Sequence, residues 1–356
     1  LDKKISDKER IEINELISIL NNIAPDFMEV IEKRYSVLRI INYLGPIGRR
    51  SLSDKLDLTE RNIRTASTAL KNQQLINITQ EGMSITARGK KSLERLKYAF
   101  HILKGLRILE EELRDILNIK KVIIVPNSAD SDPLVYKEMG KAASGYIDSL
   151  ITEKSTIGLT GGTTIAQVIN EYKYRKEKLS DVTVIPARGG LGKKVEYQAN
   201  TLVQNLANKL GCNYKTLYTP DFLSQDSIES LLKEPAIKEI IELIEDIDIL
   251  VFGIGRADIM AQRRGLSNEQ IESLINKGAV SEAFGYYFNE AGEIVHEIST
   301  IGIDFETFNK IENIIAVAGG SEKAEAIASI SKLNERLVLI CDESVAKKII
   351  FKYKEE

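Results

Sequence analysis

Cysteine and histidine are scarce in this chain. Cys212 and Cys341 lie far apart and neither is flanked by another Cys or by His, so no disulfide framework is expected and a reducing cytoplasm fits. His101 and His296 are isolated too, which argues against a His/Cys metal site, and neither metal nor cofactor is expected. No apolar run approaches a membrane span, and the charged opening LDKKISDKER lacks a signal-peptide pattern, so no membrane partner is expected. With 356 residues the chain exceeds what one compact core usually holds, and two or three domains are expected.

What is present is unevenly placed. The net charge is −3, yet Lys33, Arg34, Arg39, Arg49, Arg50, Lys55, Arg61, Arg64 and Lys71 face only Asp54, Asp57 and Glu60 between Lys33 and Leu75. Such a local basic excess on an acidic body suggests a polyanion-binding module. Residues 8–32 read as a helix whose seam is Ile13, Leu16, Leu20 and Ile23, interrupted at Pro25-Asp26. That helix is either packed on its own domain or a dimer arm. Tyr35, Leu38, Ile41 and Leu44 give a second helix before Gly45-Pro46-Ile47-Gly48. Ser51 with Asp54 reads as the capping box of the next helix, and Thr59 as the N-cap of the one after. Ile63, Ala66 and Leu70 bury one face of that last helix, while Arg61, Asn62, Arg64, Thr65, Thr68 and Lys71 occupy the other. Two stretches alternating around Glu81-Gly82 then form a hairpin.

Three helices followed by a hairpin describe a winged helix-turn-helix, assigned to residues 1–88. Arg and Lys neutralise DNA phosphates, and Arg, Asn and Thr can read base edges. The candidate DNA-contacting residues are Arg49, Arg50, Arg61, Asn62, Arg64, Thr65, Thr68 and Lys71. A winged helix that binds protein is the alternative; the concentration of cations on one helix favours DNA. Residues 89–118 read as a linker helix, with an extra three-residue step between Leu103 and Leu106 that excludes a long regular coiled coil.

From residue 119 to 356 short β-branched runs alternate with helical stretches, the α/β pattern of a mainly parallel sheet. Strands are expected at Val122–Val125, Ser155–Leu159, Val182–Ile185, Asn213–Tyr218, Ile247–Phe252, Ile314–Val317 and Leu337–Cys341. Four of them run into glycine-bearing turns: Thr160-Gly161-Gly162-Thr163-Thr164, Pro186-Ala187-Arg188-Gly189-Gly190, Gly253-Ile254-Gly255-Arg256-Ala257-Asp258 and Ala318-Gly319-Gly320-Ser321-Glu322-Lys323. Loops at the carboxyl ends of parallel strands line one sheet edge, where helix N-termini and cations can meet an anion. None is a dinucleotide fingerprint or a Walker loop, because the third glycine and the Gly-Lys-Ser/Thr are missing.

The winged-helix unit joined to GLTGGTTIAQV, VIPARGGLG, FGIGRADIMAQRR, GAVSEAFGYYFN and IIAVAGGSEKAEAI resembles the SorC/DeoR class of sugar regulators, in particular those of central glycolytic genes. The resemblance covers almost the whole chain. It implies an N-terminal winged helix-turn-helix domain and a Rossmann-like effector-binding and oligomerisation domain similar to sugar-phosphate isomerases and deaminases. It also implies operator DNA of a glycolytic operon as partner, fructose 1,6-bisphosphate as inducing effector, and self-association as dimer or tetramer. Carried over by residue, Gly161, Gly162, Thr163 and Thr164 hold one phosphate. Arg188 with Gly189-Gly190, and Lys323 after Gly319, bring charge to phosphate, while Gln198, Arg263 and Glu282 contact the sugar or its phosphates. Arg256 departs from the expected pattern by adding a cation.

An isomerase or deaminase is the rival reading. Such chemistry needs a general base, and the related enzymes carry a His after Gly-Ile-Gly; here that loop has none, and Asp258 is the one candidate base in it. No enzymatic turnover is therefore expected. A third reading is a DNA-binding protein that uses its α/β body only for assembly.

Overall fold

The computed structural model describes residues 23–189, 194–220 and 222–355, and it divides into two compact units between Arg107 and Ile108. Ile13, Leu16 and Leu20 of the expected N-terminal seam lie outside the described residues. The first described helix, α1 (Pro25–Leu44), is continuous. Pro25 opens it from the first turn, where proline costs no hydrogen bond. The expected boundary near Glu32 is thus absent, and Val37, Leu38, Ile40 and Ile41 form one buried stripe.

Next come α2 (Arg49–Leu56) and α3 (Glu60–Asn72). Ser51 is not an N-cap: α2 starts two residues earlier, after Gly48. Thr59 does cap α3, its hydroxyl oxygen accepting from the Asn62 N–H at 3.2 Å. Asp57 makes the turn between the helices with φ of 50°. The wing is β1 (Ile76–Thr79) paired antiparallel with β2 (Gly82–Ile85), and Met83 also exchanges backbone hydrogen bonds with Ile47. Leu52, Ile63, Leu70, Ile76 and Met83 close the core of this unit, and the Tyr35 ring stacks on Phe100 at 4.4 Å between centroids.

The 89–118 stretch is two helices, not one. α4 (Ala87–Leu103) stops at Lys104-Gly105, where Gly105 takes φ of 63°, and α5 (Leu106–Leu117) begins anew. The break falls at the irregular Leu103–Leu106 step.

The chain continues through β3 (Lys121–Val125), α6 (Leu134–Asp148), β4 (Thr156–Leu159), α7 (Thr163–Glu171), β5 (Thr183–Pro186), α8 (Ala199–Leu210) and β6 (Asn213–Tyr214). Then follow α9 (Gln225–Leu231), α10 (Pro235–Glu245), β7 (Ile249–Gly253), β8 (Gly255–Arg256), α11 (Ala257–Arg263) and α12 (Asn268–Asn276). The remainder is β9 (Ser281–Ala283), β10 (Tyr286–Phe288), β11 (Ile294–Glu297), α13 (Phe305–Lys310), β12 (Asn313–Val317), α14 (Ala324–Ser331), β13 (Leu337–Asp342) and α15 (Glu343–Glu355).

The expected strands assemble into one parallel sheet in the order β3-β13-β12-β7-β4-β5-β6. Its strands read as near-continuous Val/Ile/Leu runs because helices cover both faces. Ile157, Leu159, Val184, Val251, Ile315 and Val317 pack with Ile165, Val168 and Ile169 of α7 and Leu202, Val203 and Leu206 of α8. β6 is shorter than expected and ends at Tyr214, on the sheet edge.

An antiparallel sheet, β11-β10-β9-β8, was not expected. Its β9–β10 turn is Phe284-Gly285, with φ of 57° and 93°, so both central residues take the positive φ that a two-residue hairpin turn of the primed kind requires. Two strands of three residues each are too short for an alternation pattern to reveal them.

Leu52 is wholly enclosed in the winged-helix core. Leu52→Ala is expected to cost this unit about 2–5 kcal/mol, read as an earlier urea transition in the full chain while the α/β unit's transition stays in place.

Candidate functional site

β5, β4, β7 and β12 are neighbours in the sheet, and they are the four strands that lead into the glycine-bearing turns. Chain order runs outward from β4 through β5 to β6 and from β7 through β12 to β13, with β3 added beyond β13, so the winding reverses between β4 and β7. A crevice opens at such a switch point, beyond the strands' carboxyl ends. There a cleft of about 230 Å³ is lined by residues from all four turns.

The floor is the start of α7. Gly162 is its N-cap at φ of 129° and offers no capping side chain, so the helix presents its first N–H groups and positive end to the cleft. The Gly162 N–H itself donates to Tyr197 O at 2.8 Å. Gly161 is needed for close approach, since a Cβ there would sit 2.7 Å from Tyr197 O. Thr163 is exposed and Thr164 is buried, both on the lining.

The cations come from two other turns and a helix end. Arg188 follows β5, is 3% exposed, and packs its guanidinium against Gly285. Arg263 stands at the end of α11, and Lys323 follows β12. Burial, and after it the nearby Arg263, push the Lys323 pKa below the usual lysine value, while Glu322 and Asp342 pull weakly the other way. Two like charges thus stand close together here, with Glu322 and Asp342 as partly compensating carboxylates.

Of the residues expected at the effector site, Gly161, Gly162, Thr163, Thr164, Arg188, Gly189, Arg263, Glu282 and Lys323 line this one cleft. Gly190 lies outside the described residues. Gly189 lines it, but its N–H already donates to Ile301 O, and its missing Cβ makes room for Thr219. Gln198 and Gly319 are not on the lining. Gln198 sits beside Tyr197 and Ala199, the residues on which Gly161 packs. Gly319 packs on Met139 and takes the Tyr136 O–H on its carbonyl at 3.2 Å. The amides after it are occupied by the protein's own acids, Gly320 by Asp342 and Ser321 by Asp130. This turn therefore contributes Lys323 and not a backbone cradle.

Glu282 is no surface residue. Its side chain is 5% exposed, and Oε1 accepts from Arg264 Nη2 at 2.5 Å and from the Gly285 N–H at 2.8 Å, with Arg188 Nη1 at 3.9 Å. Arg264 is fully enclosed and not at a solvated helix end. The extra cation Arg256 is internally balanced: Nε and Nη2 donate to Asp258 at 3.1 and 2.6 Å, and Nη1 to Glu322 at 3.3 Å.

In the other unit, Arg49, Arg50, Arg61, Arg64, Thr65, Thr68 and Lys71 are exposed, and Asn62 is half-buried behind the Thr59 cap. The Thr65 hydroxyl donates back to Arg61 O, and Arg50 lies 3.5 Å from Glu60.

Residues 30–100 match the family model of the CggR N-terminal DNA binding domain, and residues 102–351 match that of a sugar-binding domain (Sugar-bind). The Central glycolytic genes regulator of Bacillus subtilis (strain 168) is 40% identical over 338 residues, covering 95% of this chain and 99% of its own. The chain belongs to this family of sugar-binding transcriptional regulators. The regulator of the same name from Priestia megaterium is also 40% identical, over 94% of this chain and 98% of that one. A SorC family transcriptional regulator structure from Enterococcus faecalis is 37% identical, covers 68% of this chain and 99% of that one, and superposes with a TM-score of 0.63. An N-terminal DNA-binding domain and a C-terminal sugar-binding domain are thereby assigned.

Sequence reasoning missed Tyr136, Met260 and Phe284 on the lining, and Arg264 behind it. The Ala-Phe-Gly-Tyr turn was a usable signal for Phe284; nothing local distinguishes Arg264 from its neighbour Arg263.

The lowered Lys323 pKa has a signed consequence. An anion beside Lys323 favours its charged form, so the pKa rises on binding and protons are taken up between the lowered and the raised values. Affinity for sulfate, whose charge is fixed, is expected to fall as pH rises through the lowered value, and Lys323→Met is expected to flatten that slope. Calorimetry in buffers of different ionisation enthalpy checks it; an equal slope in the variant would contradict it.

Proposed function

We propose that this chain is an operator-binding repressor of glycolytic genes, released by fructose 1,6-bisphosphate held in the cleft. The observation that carries the reading is the grouping of an uncapped helix start with Arg188 and Lys323 from two turns and Arg263 from the end of α11, around one cleft. Anion donors spread over several turns suit a ligand with two phosphates better than one with a single phosphate. The names of the relatives at 40% identity point to glycolytic genes as the target.

Turnover is not part of the proposal. No His lines the cleft among the described residues, and both carboxylate oxygens of Asp258 already accept from Arg256. A base so engaged is poorly placed to take a proton from a sugar carbon. Binding without chemistry suffices for a signal, provided the ligand favours one arrangement of the protein over another. Self-association, as dimer or tetramer, fits paired half-sites on DNA.

Titration with fructose 1,6-bisphosphate against its monophosphates tests the ligand. The bisphosphate is expected to bind more tightly and to be recovered unchanged; equal affinities, or isomerised product, would overturn the reading. Thr163→Ala combined with Thr164→Ala is expected to abolish the ligand's effect on operator affinity while operator binding itself persists. On the DNA side, Arg64→Ala is expected to weaken operator binding and to lower the slope of log affinity against log salt by about one, if Arg64 meets a phosphate. An unchanged slope with altered sequence preference would assign it to a base instead.

A further inference from the structure

The turn after β12 carries Lys323 to the cleft, yet the lysine side chain does nothing to hold itself there. Its backbone N–H donates to Gly320 O at 2.9 Å, and its ammonium makes no hydrogen bond or ion pair among the described residues. Burial disfavours its charge, and the nearby Arg263 repels it. A long, flexible ammonium side chain under that pressure keeps its place only if its backbone is fixed.

Two carboxylates from distant segments do the fixing. Asp342 ends β13, the strand between β3 and β12, and has no solvent exposure. Its carboxylate reaches the turns after both neighbours. Oδ1 accepts from the Gly320 N–H at 3.0 Å; Oδ2 accepts from the Ala129 N–H at 2.8 Å and the Ser344 hydroxyl at 2.5 Å. Asp130, from the turn after β3, takes the next amide: both its oxygens accept from the Ser321 N–H, at 3.1 and 3.0 Å. Gly320 makes room for this, since a Cβ there would sit 3.0 Å from Asp130 Oδ1. Burial raises the Asp130 pKa, but hydrogen bonds from Ser321, Ser128 and Ser344 outweigh it and hold the carboxyl below its ordinary value. Two successive amides are thus clamped by carboxylates, and Lys323 closes the same short 3₁₀ turn two residues on.

We propose that Asp342 and Asp130 are positioning residues for ligand binding: by holding the amides of Gly320 and Ser321 they fix the turn that places Lys323 in the cleft. The proposal rests on the reading of the cleft as an anion site. Neither aspartate is on the lining, so neither acts by touching the ligand. With a tie lost, the turn relaxes, burial and Arg263 drive the ammonium towards solvent, and the cleft loses a cation while its lining residues are unchanged in sequence.

The test is a double-mutant cycle in the full chain, titrated with fructose 1,6-bisphosphate and with inorganic phosphate. Beside native Lys323, Asp130→Ala is expected to weaken binding about threefold and Asp342→Asn about tenfold; beside Lys323→Met, neither is expected to weaken it further. Equal weakening in both backgrounds, or no weakening by Asp130→Ala beside native Lys323, would overturn the proposal. Asp130 is exposed, so its variant decides the matter where Asp342→Asn does not fold. The pH profile separates position from charge. The decline of sulfate affinity with rising pH is expected to flatten in Asp342→Asn as in Lys323→Met. An undiminished decline moved to lower pH would mean that Asp342 acts on Lys323 by charge alone, and would overturn the proposal. A ligand-free crystal structure of Asp130→Ala supplies a readout independent of binding: Lys323 is expected to leave the cleft lining, and an unchanged Ser321–Lys323 turn would overturn the proposal. If the native chain binds neither probe, the anion-site reading fails, and this structure still decides whether the carboxylates place Lys323.

Discussion

β4 and β7 lie side by side in the sheet, although β5, β6 and the helices between them intervene in the chain. That parallel pairing forces the winding to reverse, and the reversal leaves the turns after β4 and β7 diverging over an uncovered edge. Everything in the cleft depends on it. α7 departs from β4 with its amide end at the opening, β7 sends Arg256 and then α11 to one side, and β5 and β12 add Arg188 and Lys323 from the flanks. The pairing itself is secured by ordinary means: Ile157, Leu159, Ile249 and Val251 are buried between helices, and Asp248 adds a carboxylate acceptor for the Thr156 N–H at 2.8 Å.

Electrostatics then separates two kinds of charge around that opening. Arg188, Glu282 and Arg264 form a buried group with side-chain exposures of 4%, 5% and 0%. Removing one member of a buried pair typically costs about 3–5 kcal/mol, because the survivor stays buried and uncompensated. Within this group Glu282 Oε1 is held by Arg264 and by the Gly285 N–H. Arg256, Asp258 and Glu322 form the other kind, with exposures of 33%, 36% and 62%. Pairs so exposed are usually worth about 0–1 kcal/mol.

Much of this was legible from residue patterns. Val122–Val125, Ser155–Leu159 and Ile314–Val317 announced themselves as β-branched runs ending in turns, and seven expected effector residues on the glycine-bearing turns line one cleft; Arg263 and Glu282, which line it too, were expected from the family resemblance alone. The winged helix was legible for the same reason: Ile63, Ala66 and Leu70 at helical spacing, then a short hairpin around Gly82. What could not be read is what tertiary packing decides. Ser51 with Asp54 satisfies a local capping pattern, yet packing begins α2 two residues earlier. Gly319 and Gly161 look alike in sequence, but Asp130 and Asp342 from distant segments occupy the amides of one turn and not of the other. Arg263 and Arg264 are adjacent and chemically identical. Only the register of α11 against β9 sends one to the cleft and the other into the wall.

The contrast between wall and rim bears on why such a cleft can hold a signal. A ligand shifts an equilibrium only through interactions that differ between the protein's states. A phosphate arriving at the rim can take Arg256 from Glu322 at little cost, since an exposed ion pair is nearly balanced by hydration. It cannot take Arg264 from Glu282 at comparable cost, because both are buried. The wall is therefore the rigid part of the cleft, and the rim is the part that can reorganise. The Arg256–Glu322 ion pair joins the turn after β7 to the turn after β12, the neighbouring strand. The turn after β7 thus carries an ion pair, exposed enough to be rearranged at small cost, at the mouth of the cleft.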